Sequence, residues 1–196
     1  MKNIFLIGDS IRCGAQPYSP GYGVYVNEAL KDKCKVFAPG ENCRFTTHTL
    51  RFLHDWAWSL CPNEKIDLVH WNNGLWDCLR LFGDEPLVDL ETYGKTLKRI
   101  YERIRILFPS AKIVFALTTA VVEKRFDKKF LRFNADVEKY NEKAREVLSG
   151  LNVEFNDLFS VSSKFDESYY CDAVHFSEKG SKILAEHVVN KCLENL

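Results

Sequence analysis

The stretch Ile4-Phe5-Leu6-Ile7-Gly8-Asp9-Ser10 decides the fold. Four apolar residues make a short strand. A glycine turn ends it, and a serine hydroxyl is offered at the sheet edge. Similar short runs, rich in β-branched and aromatic residues, return at Val36–Ala38, Ile66–Trp71, Ile113–Leu117 and Val153–Phe155. Runs of this kind suit buried parallel strands. Between them lie amphipathic stretches at Tyr22–Lys33, Thr46–Leu60, Leu90–Phe108 and Asp127–Leu148. In the second, Leu50, Leu53, Ala57 and Leu60 follow a helical stripe. Asp89 and Asp127 are expected N-caps, Pro109 closes the third stretch, and Gly150 follows the fourth. A last helix is expected from a Ser177 cap to about Leu193, with Gly180 lowering its propensity. Strands alternating with helices predict an α/β fold with a five-stranded parallel sheet covered on both faces.

The totals fit that picture. A chain of 196 residues is expected to form one domain, residues 1–196. It is long enough to bury a core without disulfides. Lys plus Arg and Asp plus Glu are 27 each, so no basic excess points to nucleic acid as a partner. The seven cysteines are widely spaced with no CxxC pair, which predicts buried reduced thiols, a cytoplasmic protein and no zinc cluster. The first residues do not read as a signal peptide, and no run approaches the ~18 apolar residues of a membrane span. Neither membrane nor nucleic acid is an expected partner.

In open parallel sheets, ligands bind outside the carboxyl ends of the strands. Ser10 follows the first strand, Gly40 to Arg44 the second, and Asn72 to Asp77 the third. Asp172-Ala173-Val174-His175 lies after the fifth. A serine needs a base to become a nucleophile, and a histidine oriented by a carboxylate supplies it. Ser10, His175 and Asp172 are therefore the expected catalytic residues. Oxyanion donors are sought in the amide of Ser10, a backbone amide of the Gly40–Cys43 turn, and the side chain of Asn72 or Asn73. No GxSxG elbow is present.

Gly8-Asp9-Ser10-Ile11 resembles the first block of the GDSL, or SGNH, hydrolases, and Asp172-x-x-His175 resembles their last. The resemblance implies a three-layer α/β/α sandwich, flavodoxin-like, and activity on acyl esters. The second block would supply a glycine amide to the oxyanion hole, and here either Gly40 or Cys43 takes that position. The third block is usually Gly-x-Asn-Asp; here it reads Asn72-Asn73-Gly74-Leu75-Trp76-Asp77, with Trp76 at the asparagine if Gly74 is aligned. Asn72, nearest the strand end, is the favoured side-chain donor, and Asp77 is expected to brace the loop. Asp9, Arg44 and Trp76 are placed at the substrate, with Arg44 meeting an anionic group. His70 is expected in the core, and His48, His54 and His187 on helices.

The sequence thus predicts a serine esterase working through an acyl-enzyme on a small-molecule ester, with no cofactor or metal. Small acyl groups such as acetyl on a carbohydrate come first. A lysophospholipase or thioesterase, or an inactive binding module on the same fold, is the alternative.

Overall fold

In the computed structural model, which describes residues 1–196, the chain begins with β1 (Lys2–Ile7), α1 (Ser10–Cys13), α2 (Tyr22–Leu30), β2 (Cys34–Phe37), α3 (Thr46–Leu60) and β3 (Leu68–Trp71). It continues through β4 (Arg80–Leu81), α4 (Leu90–Leu107), β5 (Lys112–Ala116), β6 (Phe130–Leu131) and α5 (Asn134–Leu148). It finishes with β7 (Val153–Asn156), α6 (Leu158–Ser162) and α7 (Glu178–Glu194). Five strands form one parallel sheet in the order β2-β1-β3-β5-β7. Ile4, Phe5, Leu6 and Ile7 are completely buried, as a central strand covered on both faces requires.

The layers follow from the strand order. From β1 to β2 the chain steps one way across the sheet; from β2 to β3, β5 and β7 it steps the other way. Right-handed crossovers then put α2 on one face and α3, α4 and α5 on the opposite one. The packing agrees: α2 packs against α7, α3 against α4, and α4 against α5. One continuous cluster of 47 buried apolar residues spans both sides of the sheet. The order reverses at β1, so β1 and β3 flank the crevice where such sheets bind ligands.

Most expected elements form within a few residues of their predicted ends, and Thr46–Leu60 matches at both. The exception is the stretch from Asp127. Its carboxylate accepts from the Lys129 amide at 2.9 Å and caps a turn, not a helix. Phe130–Leu131 then pairs antiparallel with Arg80–Leu81, and α5 starts only at Asn134. Tyr22–Lys33 stops at Leu30, in a turn closed by the Lys33 amide on the Leu30 carbonyl.

Candidate active site

Ser10 opens α1 immediately beyond β1. Asp9 caps that turn by accepting from the Ile11 amide at 2.9 Å. Gly8 is needed here because a Cβ would stand 2.8 Å from the Cβ of Arg12. Arg12 is buried, and its guanidinium donates to the carbonyls of Pro39 at 2.7 Å, Glu41 at 2.7 Å and Gly8 at 3.3 Å. One cation thereby ties the loop after β2 to the serine turn. The Trp56 indole holds the same loop from α3, donating to Glu41 at 2.8 Å.

The late segment comes to meet this turn. A short hairpin carries it: the Cys171 amide donates to His175 O and the Ser177 amide to Tyr169 O, both at 2.8 Å. Asp172 Oδ1 accepts the amides of Val174 and His175, each at 2.7 Å, and Oδ2 lies 2.6 Å from His175 Nδ1. An ionised carboxylate only accepts, so Nδ1 carries the ring proton and Nε2 is the acceptor. Nε2 lies 2.8 Å from Ser10 Oγ. Burial works against the charge on Asp172, but the bonds from the ring and the two amides outweigh it and hold the carboxyl down at about 2. Serine, imidazole and carboxylate are thus joined in one line, across 165 residues of chain between Ser10 and His175.

The donors for an oxyanion are arranged differently from expectation. Asn73 is fully buried; its amide nitrogen donates to Arg44 O and Thr49 Oγ1, and its oxygen accepts from Trp71. It ties the third loop to α3 and does not face Ser10. The Cys43 amide is taken by Gly8 O at 3.2 Å. Gly40 is exposed and does not line the cavity beside Ser10, whereas Asn42 does. Asn72 donates to Ala116 O at 2.9 Å and retains one further amide hydrogen. Gly74, at φ 144°, turns the third loop where a Cβ would sit 2.4 Å from Thr118 Oγ1. Asp77 braces that loop, accepting from the Thr46 amide at 2.9 Å and its hydroxyl at 2.6 Å.

A cavity of about 470 Å³ opens beside Ser10 and His175. Leu75, Trp76, Phe126, Phe130 and Arg132 line it, as does Asn42. Trp76, expected at the substrate, lines the cavity that Ser10 faces. Asp9, also expected there, does not line it: it is buried in its capping role, and burial raises its carboxyl. Arg44 is also outside, exposed on the loop with its amide on Asn42 Oδ1. Of the two cations that do line the cavity, Arg125 and Arg132, only Arg132 is buried, and the sequence did not single it out. It belongs to a run with Lys124, Arg125, Lys128 and Lys129, and only the β4–β6 pairing distinguishes it. His70 is buried and neutral, its pKa pushed down to about 3 by burial.

A serine, a histidine and a carboxylate thus stand hydrogen-bonded in line at the switch point of a parallel sheet. The model of the GDSL-like Lipase/Acylhydrolase family matches residues 6–183. This chain belongs to that family. It is 24% identical over 114 residues to the GDSL esterase/lipase WDL1 of Oryza sativa subsp. japonica, a match spanning 53% of this chain and 44% of the rice protein. Among solved structures, a lipase/acylhydrolase from Enterococcus faecalis superposes with a TM-score of 0.76 at 20% identity, covering 97% of this chain and 95% of that one. An acetyl xylan esterase, AlAXEase, gives 0.73 at 16%, covering 97% and 99%. TesA gives 0.74 at 15%, each chain covered in full. At these identities the likeness is one of fold. No helix is long and apolar enough to cross a membrane.

Proposed function

We propose that the protein hydrolyses small acyl esters through an acyl-enzyme on Ser10. The observation that carries this reading is the 2.8 Å approach of Ser10 Oγ to His175 Nε2, with Asp172 2.6 Å from the other ring nitrogen. His175 takes the hydroxyl proton as Ser10 attacks the carbonyl. It returns that proton to the leaving alcohol, and water then releases the acid by the same steps in reverse. Asp172 holds the ring in the productive tautomer and balances the imidazolium as it forms. The amide of Ser10, the loop amides at Asn42 and the remaining hydrogen of Asn72 are the donors we assign to the oxyanion.

The cavity supports a small acyl group carried on a polar alcohol, with the Trp76 ring as a face for a sugar to pack on. Seven unpaired thiols suit the cytoplasmic setting we propose. A second reading, a longer acyl chain as in a thioesterase or lysophospholipase, draws on the apolar wall of Leu75, Phe126 and Phe130. Hydrolysis of p-nitrophenyl esters across a chain-length series separates the two. Acetate or propionate leading the series is expected, and a sharp rise beyond about eight carbons would replace the first reading with the second. Ser10→Ala should lower kcat on the order of 10⁴-fold or more and abolish labelling by a fluorophosphonate. Equal turnover by both proteins would sink the Ser10 assignment.

A further inference from the structure

Arg132 is 6% exposed, yet it has no carboxylate within salt-bridge distance. Its Nε donates to Leu75 O at 2.5 Å, which anchors the side chain to the third loop. Its terminal nitrogens have no hydrogen-bond acceptor, and neither is sealed from solvent as the Nε of Arg12 is. The guanidinium stands 5.7 Å from the centre of the Trp76 ring and lines the same cavity as Ser10 and His175. Asp9 and Asp172 act on it only at a distance; burying a cation with no carboxylate in contact is costly, and an apolar residue of similar volume would fill the wall at lower cost.

The other charges on this cavity are already engaged or lie at its rim. Arg125 pairs with Glu167 at 3.2 Å and donates to Asp172 O at 3.2 Å. Asp172 is held by His175. Asp127 is exposed, its carboxylate on the Lys129 amide. Arg132 is left as a planar, half-satisfied guanidinium, a geometry that accepts a carboxylate or phosphate with two parallel bonds.

We propose that Arg132 binds an anionic group on the substrate, so that the preferred substrate is an ester bearing a carboxylate or phosphate. This rests on the Ser10 reading for the chemistry, but binding of the anion does not depend on it. The group sits on the part of the ester that enters the cavity past Trp76, and Arg132 acts in specificity.

The test compares 4-acetoxybenzoate and 4-acetoxyphenyl phosphate with the neutral 4-acetoxybenzamide at low ionic strength. Wild type should favour at least one anionic ester in kcat/KM by about 10- to 100-fold, the range of a charge-assisted contact. Whichever anion leads identifies the source. Arg132→Gln should collapse that ratio, and Arg132→Lys should retain part of it. In parallel, Ser10→Ala protein is titrated calorimetrically with the amide isostere 4-acetamidobenzoate and with its neutral carboxamide. Only the anion should bind, and adding Arg132→Gln should remove the binding. If wild type cleaves neutral and anionic esters alike, the anion site is overturned while the esterase reading stands. If Ser10→Ala binds the anion but wild type cleaves nothing, the reverse holds. An equal fall in kcat for all three esters in Arg132→Gln would place Arg132 at the oxyanion and overturn the proposal. Should Arg132→Gln fail to fold, the wild-type ratio and the Ser10→Ala titration decide on their own.

Discussion

Single side chains in this protein are set by who stands opposite them. Ser10, Asp172 and His175 were legible in the sequence because their chemistry is written in residue type and their placement in the strand alternation. The donors around them were not. Asn73 turns away from Ser10 because Thr49 and Arg44 O claim its amide hydrogens, and neither partner is adjacent in sequence. Asp77 shows the same dependence on distant partners. Its carboxyl is pushed up to about 7 by burial, against two bonds from Thr46 that favour the charge. An acid raised in this way stabilises the fold below its unfolded pKa, near the ordinary 3.8, and that contribution is lost as pH rises toward 7. Asp77→Asn keeps an acceptor for Thr46 and cannot ionise. Its Tm relative to wild type should therefore climb between pH 5 and pH 8. A difference that stays flat or falls over that range would mean Asp77 does not titrate as described.

At the level of elements, long periodic segments were readable because local pattern and burial agree. The ribbon of β4 and β6 was not, since two-residue strands leave no periodicity and their partners lie far apart in sequence, Arg80 with Leu131 and Leu81 with Phe130. That ribbon ends next to Arg132, so the burial of this cation depends on a pairing that no local pattern displays. Gly180 is a second case. In sequence it is only a weak residue near the start of α7. In the structure a Cβ there would lie 2.6 Å from the carbonyl oxygen of Tyr169, at the base of the hairpin that carries Asp172 and His175. Alanine should gain about 1 kcal/mol in helix propensity. Backbone cannot give way as a side-chain tip can, and overpacking typically costs about 1–3 kcal/mol. Gly180→Ala should therefore lower the urea midpoint and turnover together. A higher midpoint with turnover intact would show that the hairpin tolerates the shift.

For the whole molecule, the sheet order and its two helical layers follow from strand sequence and crossover handedness, so the architecture was readable before the details. The apolar core is continuous through the sheet, with no break that would let one half unfold first. Urea unfolding should then be a single transition, with tryptophan fluorescence and far-ultraviolet circular dichroism sharing one midpoint. Trp56 and Trp58 report from α3, Trp71 from β3 and Trp76 from the cavity wall. Separate midpoints would reveal a subunit of the fold that melts on its own.

The hairpin that bears Asp172 and His175 is complete in itself, because one carboxylate grips both the ring and the backbone around it. It touches the early part of the chain through His175 on Ser10, Phe176 O on the Ser19 hydroxyl at 2.8 Å, and Cys171 on Tyr18 O at 3.0 Å. Ser10 is therefore synthesised 165 residues ahead of His175, the partner its hydroxyl meets in the fold. On the acyl-enzyme reading proposed above, a nascent chain holding Ser10 without His175 is inactive, and turnover begins only when these distant segments close on each other.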